Sequence, residues 1–540
     1  MGSVPTLPEA QTFFTVGDKH EFDPERWVSD GQEPRPKRDP ETHVKVLIVG
    51  AGYAGLLAAL ECWRKGHDVV GILERSQGPN YSGDLIIIQP SALEVLRHWP
   101  QMRRELGEDK VTAGTYYYRH NGELISGPAE PSYNAAEYVA ERASRPDTVG
   151  YIGAVQIRKK FYRMLLRQVA RLGFRVDYGC RVQGYFEDEG AGIAGVTLTD
   201  GSIRTAHVVV AADGSRSRSE LLIAGEHAVT RSSGMSVYRT AFPAHLAFAD
   251  GMVRERWGGK HTYEFWLGSG MHIGLYFSPD LVAFGITPRD EYLDPDQVVV
   301  DQDSWDPNVD PDEVIAVMRR ARSAMDKDDP DPDTWHPVIE ALVRTAPRGN
   351  LIHWPLRWRD LRREWVSKGG RVVQIGDAAH STIPSSAAGG TLALEDAITL
   401  ASCLQLASAP GAAAGGALAG FGVPIGTKVY NLLRYERTSC TQKMAFVNAQ
   451  VLGNTTDWDA IRKDPKRVHV RYPRWLFSHD PEGYVYEKYG QAFAHVVAGA
   501  EFRNTNIPPG HKFVHWNLEQ IHKEMAAGKK VEDLLDGDWT

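Results

Sequence analysis

The chain has 540 residues and a formal net charge of −8, with 42% hydrophobic, 24% charged and 10% aromatic residues, which predicts a globular protein of two or three domains. The acidic balance and the lack of a clustered basic face argue against nucleic acid as a partner, and no segment reaches the apolar length of a membrane span. Because the four cysteines are widely spaced and the first segment lacks the pattern of a secretory leader, we expect a cytoplasmic protein that acts on small molecules.

The first elements predict a surface arm followed by a βαβ unit. Residues 1–40 are rich in proline and charged residues and show no sustained periodicity, which is typical of an arm at the surface. From Val44 the pattern becomes a strand (VKVLIVG), a glycine turn, a helix that ends near Gly66 and a second strand (DVVGILE). This order is typical of the start of a doubly wound sheet.

The glycine turn has the pattern of a dinucleotide site. Gly50 permits the tight turn, Gly52 leaves room for a pyrophosphate, and Gly55 lets the helix pack closely on the strand. Glu74 closes the second strand 19 residues beyond Gly55, where a carboxylate can accept hydrogen bonds from a ribose diol. The alternative is a glycine-rich turn that binds no ligand.

The following segments are predicted to contain a helix near residues 91–99, a hairpin turn at Asn121 and Gly122, and a helix over residues 155–171. A second formal match to the glycine pattern, GAGIAG at residues 190–195, follows the acidic run EDE and precedes the strand VTLTDGS. Because no apolar strand precedes it and no helix follows it, we predict a hairpin loop and no second nucleotide-binding domain.

The second half begins with a change of character. Residues 236–288 are rich in aromatic and β-branched residues and broken by Gly and Pro, which predicts a separate antiparallel sheet. The acidic runs that follow are predicted to be solvated loops around a short helix, because their carboxylates follow no calcium-loop spacing. Residues 408–422 predict a flexible insertion of small residues, and the chain after residue 440 is predicted to be irregular.

The stretch GDAAHSTIPSSAAGGTLALEDA, residues 376–397, follows an apolar strand and leads into a helix that begins near Thr391. Asp377 would project from the carboxyl end of that strand, where ligands bind in doubly wound sheets. The small residues around Pro384, Gly389 and Gly390 would let a flat ring approach the backbone, and the helix N-terminus would stabilise negative charge on it. A flavin needs this combination, with Asp377 accepting from ribityl hydroxyls. The alternative is a helix that docks through small residues alone.

Three motifs together resemble a known family: GAGYAG with Glu74 and Arg75, VVVAADGSRSR at residues 208–218, and the stretch at residues 376–397. Their order and spacing are similar to those of the class A, single-component FAD-dependent monooxygenases of the p-hydroxybenzoate and salicylate hydroxylase type. The resemblance covers residues 44–440, and the residues beyond look like those of the fungal secondary-metabolite branch.

The resemblance implies an α/β + β fold class. A Rossmann-like FAD-binding domain with the p-hydroxybenzoate hydroxylase fold would carry an antiparallel-sheet substrate domain and a C-terminal extension. The implied boundaries are an N-terminal arm over residues 1–40, a discontinuous FAD-binding domain over residues 41–230 and 345–440, a substrate-binding sheet domain over residues 231–344, and the extension over residues 441–540.

The glycine motif and the resemblance together assign residues to the cofactor. The residues expected to bind FAD are Gly50, Gly52, Gly55, Glu74, Arg75, Gly83, Arg158, Asp213, Asp377, Pro384, Gly389 and Gly390. Two residues depart from the family pattern: Ala387 stands where the family usually has glycine, and Asp84 stands where a small residue is usual.

The resemblance also implies an activity. NADPH or NADH, bound transiently, would reduce FAD, and one oxygen atom of O2 would pass through a flavin C4a-hydroperoxide to an aromatic or heteroaromatic small molecule of a secondary-metabolite pathway. No metal is expected. One alternative is epoxidation or Baeyer–Villiger-type oxygenation of an indole, alkene or ketone. Another is a flavin oxidase or flavin-binding protein that transfers no oxygen.

Two further residues are candidates for catalysis. A phenol reacts better as its phenolate, so a cation or a base near the phenol oxygen would favour the reaction. Arg239 resembles the arginine on the first substrate-domain strand of the family, and His272 could relay a proton. The alternatives are an ion pair at the domain junction for Arg239 and a hydrogen-bonded sheet histidine for His272.

Overall fold

The computed structural model describes residues 36–79, 84–268, 270–293, 309–325, 335–413, 420, 422–453 and 457–540. Several sequence predictions fall partly or wholly outside these residues. They are Gly83, most of the arm over residues 1–40, most of the acidic runs, and residues 414–419 and 421 of the tract at residues 408–422.

The described residues form sixteen strands and sixteen α-helices. The strands are β1 (Lys45–Val49), β2 (Asp68–Leu73), β3 (Leu85–Ile86), β4 (Thr115–Arg119), β5 (Leu124–Ala129), β6 (Gln156–Ile157), β7 (Val182–Asp188), β8 (Ile193–Leu198), β9 (Ile203–Ala206), β10 (Val208–Ala211), β11 (Thr230–Pro243), β12 (Thr262–Gly268), β13 (Met271–Phe277), β14 (Leu281–Pro288), β15 (Ile352–Arg359) and β16 (Val372–Gln374). The helices are α1 (Tyr53–Arg64), α2 (Pro90–Leu93), α3 (Pro100–Glu108), α4 (Ala136–Ala143), α5 (Arg158–Arg171), α6 (Ser219–Ala224), α7 (Ala244–Ala247), α8 (Gly251–Trp257), α9 (Pro311–Met325), α10 (Pro337–Arg344), α11 (Gly389–Ala413), α12 (Val423–Gly453), α13 (Trp458–Lys463), α14 (Arg474–Phe477), α15 (Pro481–Ala498) and α16 (Leu518–Ala526).

The first sheet has four parallel strands in the order β16–β10–β1–β2. Both of its faces are buried, which explains the continuous apolar run of β1. Val46 and Ile48 pack towards α1 and α11, whereas Leu47 and Val49 pack towards the small sheet β7–β8–β9. The predicted βαβ opening is confirmed, and the carboxyl ends of four strands meet at one edge of the sheet.

The second sheet has seven strands in the order β15–β11–β14–β13–β12–β4–β5. Neighbours run antiparallel except β4 and β12, which are parallel. The antiparallel sheet predicted for residues 236–288 is therefore confirmed, and it also recruits strands from residues 115–129 and 352–359. One face packs on α8, α9 and α10, and the other face carries the aromatic cluster of Tyr263 and Phe265. The proposed domain boundaries remain a prediction.

Two turns follow the sequence predictions. Asn121 and Gly122 connect β4 and β5, which pair antiparallel. The second glycine pattern, residues 190–195, lies at the junction of β7 and β8, which form an antiparallel hairpin. The prediction of a hairpin loop there is confirmed.

The chain after residue 440 is not irregular as predicted. Helix α12 runs for 31 residues and α15 for 18, and Glu482 at the start of α15 accepts hydrogen bonds from Arg64 and Lys65 at the end of α1. The prediction of a flexible insertion is also wrong for residues 408–413, because α11 extends to Ala413 although the segment contains Pro410 and Gly411. Within the described segments, no helix combines the length and the apolar character needed to cross a membrane.

Candidate active site

The glycine turn between β1 and α1 has two packed glycines and one open one. Gly50 has φ +103°, and a Cβ there would lie 2.2 Å from the carbonyl oxygen of Ala212. A Cβ at Gly55 would lie 1.9 Å from the carbonyl oxygen of Gly50. In contrast, a Cβ at Gly52 would meet no atom of the described chain within 4 Å, so the backbone at the start of α1 faces open space.

Two carboxylates flank this turn. Glu74 accepts hydrogen bonds from the backbone N–H of Ala51 and of Ser76, both at 2.9 Å. Asp213 Oδ2 accepts from the Tyr185 hydroxyl at 2.7 Å. The other oxygen of Asp213, Oδ1, is buried and has no hydrogen-bond donor in the described part of the chain, and burial raises the pKa of this carboxyl group. Asp213 thus offers an acceptor that no described residue uses.

The stretch after β16 forms a short 3-10 turn, Gly376–Ala378, followed by a second one, Pro384–Ser386. The Asp377 side chain is exposed, and the Gly376 N–H donates to Asp396 Oδ2 at 2.9 Å. Ala387 has φ +49°, a left-handed conformation that favours glycine. Helix α11 begins at Gly389 rather than near Thr391, so its first residues lie beside this turn.

Beneath the turn, α11 and α12 bury a network of charges. Arg434 donates to Asp396 Oδ1 at 2.7 Å and to Glu395 Oε2 at 2.6 Å, and Arg437 donates to Glu395 Oε1 at 2.8 Å. Burial acts to raise the pKa of Asp396, but the neighbouring His380 and Arg434 lower it. His380, 1% exposed, contacts Asp396 Oδ2. Its burial and its contact with Asp396 are those of a structural residue.

A cavity of about 500 Å³, here called the reaction cavity, lies between the glycine turn, the start of α11 and the seven-stranded sheet. It brings together most of the predicted residues. Those that line it are Gly52, Arg158, Arg239, His272, Asp377, Pro384, Gly389 and Gly390. Of the other described candidates, Gly50, Gly55, Glu74, Arg75 and Asp213 lie outside its lining.

Charged side chains cluster on one wall of the reaction cavity. Arg239 Nη1 lies 4.0 Å from Asp84 Oδ1, and its guanidinium lies 5.1 Å from the centre of the Trp354 ring. Burial lowers the pKa of Arg239, and the charge of Asp84 opposes this effect. Arg158 stands at the start of α5 with its guanidinium 5.4 Å from the Tyr53 ring centre. The wall carries two cations and one carboxylate.

His272 faces the same cavity from β13. Burial lowers the pKa of its imidazole to about 4, so the ring is neutral near pH 7. A neutral imidazole can accept a proton from one group and donate one to another.

The residues present fit an FAD molecule. Gly52 leaves open backbone at a helix start, Asp213 offers an acceptor without a donor, and Asp377 is exposed in the cavity. Gly389 and Gly390 present only backbone to the cavity. A side chain at either position would be crowded, because an added Cβ would lie 3.0 Å (Gly389) or 2.7 Å (Gly390) from a neighbouring side-chain atom. This donor and acceptor set suits a pyrophosphate, a polyhydroxyl chain and a flat ring.

Several residues at the site carry no motif that sequence reasoning could use. Arg359, at the end of β15, holds the backbone of the turn at Asp377. Trp354, which also belongs to β15, places its ring against the guanidinium of Arg239. Leu452 and Val470 reach the reaction cavity from the last quarter of the chain. The local pattern of β15, IHWPLRWR, gives no sign of these contacts, because they depend on strand order.

Comparison with known proteins identifies the relatives of the chain. Residues 43–418 match the family described as FAD binding domain. The chain is 72% identical over 542 residues to the FAD-dependent monooxygenase nsrK of Aspergillus novofumigatus, with 100% of both chains covered. It is 57% identical over 532 residues to the FAD-dependent monooxygenase AacuC of Aspergillus aculeatus, covering 98% of this chain and 99% of that protein.

Solved structures share the fold. CtdE in complex with FAD and a substrate superposes with a TM-score of 0.68 at 24% identity, covering 84% of this chain and 100% of that one. A salicylate hydroxylase substrate complex superposes with a TM-score of 0.60 at 20% identity, covering 84% and 98%. The FAD-binding fold expected from the sequence is therefore confirmed.

Proposed function

The chain belongs to the FAD binding domain family and is an FAD-dependent monooxygenase, and from this premise we propose that it inserts one oxygen atom into an aromatic or heteroaromatic small molecule of a fungal secondary-metabolite pathway. The observation that carries the proposal is the reaction cavity. It is lined by the cofactor motifs on one side and by an aromatic sheet with Arg239 and His272 on the other.

The cofactor side would hold FAD through this chain's own groups. The open start of α1 at Gly52 would receive the pyrophosphate, Asp377 would accept hydrogen bonds from the ribityl hydroxyls, and the start of α11 at Gly389 would face the ring. Bound FAD supplies the redox chemistry that activates O2. As the resemblance implies, Glu74 would hold the adenosine half of FAD, and Asp213 would serve in the handling of both FAD and NAD(P)H.

The sheet side would hold and activate the substrate. Arg239 stabilises the developing phenolate oxygen, and Asp84, 4.0 Å away, compensates the charge of Arg239 when the substrate is absent. Because Arg158 lines the same wall, its two cations and one carboxylate leave a net positive charge, which favours the phenolate form of a bound phenol. His272, neutral near pH 7, relays the phenolic proton. The apolar walls exclude water from the reacting atoms.

NADPH or NADH would bind transiently as the reductant, because no second nucleotide-binding sheet is found among the described residues. O2 is the second substrate.

We also propose that the enzyme acts in the cytoplasm. All four cysteines are free thiols, which supports this proposal because cysteines stay reduced in such a compartment.

The test is anaerobic stopped-flow absorbance of FAD-loaded protein mixed with NADPH or NADH and then with isotopically labelled O2, with and without a panel of phenols and indoles. We expect a suitable aromatic to accelerate flavin reduction and to acquire one labelled oxygen atom. Reoxidation that releases hydrogen peroxide, with no oxygenated product anywhere in the panel, would instead support an oxidase.

A further inference from the structure

A second cavity, of about 840 Å³, lies against the reaction cavity. Its walls are built by β4 and β12 together with residues 129–132, 466–473 and 535–540. Tyr263, Phe265 and Val470 line both cavities. These three side chains therefore form a partition between the two spaces.

The interior of the second cavity is aromatic. The Tyr117 ring stacks between Phe265, with ring centres 5.3 Å apart, and His469, with ring centres 4.4 Å apart. Tyr472 and Trp539 add further rings to the wall. Burial raises the pKa of Tyr117 to about 12 and lowers the pKa of His469, so both side chains are uncharged near pH 7.

Charged side chains stand only at the rim of this cavity, as far as its described lining residues go. Lys466, Arg471 and Glu130 line it and are exposed to solvent. Cations and a carboxylate are mixed there, so neither sign of charge dominates. An uncharged aromatic molecule is the ligand class that this combination of aromatic interior and mixed rim accepts best.

The three residues of the partition are held very differently. Tyr263 and Phe265 belong to β12, which is paired on both edges, by β13 and by β4. Val470 belongs to a segment without regular structure between residues 468 and 474, and its N–H donates to the Tyr117 hydroxyl at 3.3 Å. A side chain on such a segment moves at lower cost than one in a central strand. Val470 is therefore the movable part of the partition.

We propose that the second cavity is an antechamber in which the uncharged aromatic substrate binds before it passes Val470 into the reaction cavity. This inference rests on the proposed function, because it takes the reaction cavity to be the place of oxygenation. The glycine turn and the start of α11 line the side that FAD would fill, so the sheet wall beside Val470 is where a substrate can enter.

The occupancy of the antechamber can be tested with 4-iodophenol soaked into crystals of the FAD-loaded protein. We expect anomalous density for iodine in the second cavity, near Tyr472 or Trp539. Iodine found in the reaction cavity alone, or in neither cavity, would overturn the antechamber. This result does not depend on turnover. If iodine occupies the second cavity but no phenol is ever oxygenated, the proposed function fails while the binding site stands.

The route can be tested by the rate at which 4-iodophenol perturbs the flavin absorbance in stopped flow. Val470→Trp should slow this rate at least tenfold by enlarging the partition, whereas Val470→Ala should leave it equal or faster. Val229→Trp is the matched control, because Val229 is 70% exposed and lines neither cavity. Equal rates in Val470→Trp and Val229→Trp, or a slower rate in Val470→Ala, would overturn entry past Val470.

Discussion

Arg359 donates from Nη2 to the backbone carbonyl oxygen of Asp377 at 2.7 Å. The same nitrogen reaches the carbonyl oxygen of Ala378 at 3.1 Å, and Nη1 donates to Glu220 Oε1 at 2.6 Å. Arg359 is the last residue of β15 and is 4% exposed. The seven-stranded sheet thus fixes the backbone of the turn that presents Asp377 to the reaction cavity.

Asp377→Ala should lose FAD while the protein remains folded. The side chain is exposed, so its removal disturbs little packing, whereas a hydrogen bond to a charged group contributes about 1.5 to 3 kcal/mol. We therefore expect the Kd for FAD to rise tenfold or more, measured by quenching of flavin fluorescence, with an unchanged far-ultraviolet circular dichroism spectrum. Full retention of FAD would contradict the role of Asp377.

Arg359→Met should weaken FAD binding without removing any group that touches the cofactor. It should also destabilise the fold by about 3 to 5 kcal/mol, because the buried carboxylate of Glu220 would lose its partner. The double variant Arg359→Met with Glu220→Gln separates the two effects. Its thermal stability should recover in part, but its FAD affinity should stay low. Recovery of both would mean that Arg359 acts on the fold alone.

Gly52→Ala should lower the affinity for FAD, whereas Gly55→Ala should lower the stability of the fold. At Gly52 a Cβ has space and φ is −79°, so we expect normal thermal stability but a weaker affinity for FAD. At Gly55 a Cβ would overlap the backbone of Gly50, and overpacking of this kind costs about 1 to 3 kcal/mol or more. For each variant, the melting temperature measures the stability and a titration with FAD measures the affinity. Equal affinity for FAD in Gly52→Ala and the parent would argue against a pyrophosphate at the start of α1.

Arg239→Gln should retain FAD but lose the acceleration of flavin reduction by phenols. The loss of a charged partner for the phenolate predicts a fall of about tenfold or more in kcat/KM. Arg204→Gln is the matched control, because Arg204 is exposed on β9 and lines no part of the reaction cavity. If both variants behave like the parent, the pairing of Arg239 with Asp84 is structural.

The fold should lose stability in acid through His67. This ring is fully buried, with Nδ1 2.7 Å from Thr42 Oγ1 and Nε2 3.0 Å from the carbonyl oxygen of Ala401. Burial lowers its pKa from 6.5 to about 4. The unfolded chain therefore takes up a proton below pH 6.5 that the folded chain refuses until about pH 4, so stability falls as pH falls through this window.

The measurement for His67 is the unfolding free energy at pH 7 and pH 4.5. The difference between these pH values should be smaller in His67→Gln than in the parent by roughly 2 to 3 kcal/mol. The exposed His522 provides a control, since His522→Gln should leave the difference unchanged. An identical pH dependence in His67→Gln and the parent would contradict this assignment.

Local chemistry explains which parts of the fold the sequence predicted. The turn at Gly50 and the turn at Asp377 are each specified by adjacent residues, since tight turns and helix starts depend on short-range sterics. For the same reason, the residues flanking 190–195 were enough to distinguish this hairpin from a nucleotide-binding turn. The parallel pairing of β4 with β12 was not predictable, because no short-range pattern encodes which distant strands meet.

The buried charges of α11 and α12 are a second feature that the sequence did not predict. Glu395 and Arg434 are polar residues on helices that are buried on almost every side, so their burial contradicts the usual preference of such residues for the surface. α12 has no single apolar stripe, which is why amphipathic periodicity did not reveal it. Val470 and Leu452 belong to the site only through tertiary packing, and the sequence assigned neither of them.

The interleaving of the two sheets also constrains how the protein is made. Strand β11 receives β15 as its outer neighbour, and β10 receives β16, only after residues 352–374 have left the ribosome. Until then β10 and β11 each lack one neighbour, and their unpaired edges are templates for pairing with other chains. Neither sheet is a unit that can finish folding during synthesis of the first half of the chain, so the two mature together, late and interdependently.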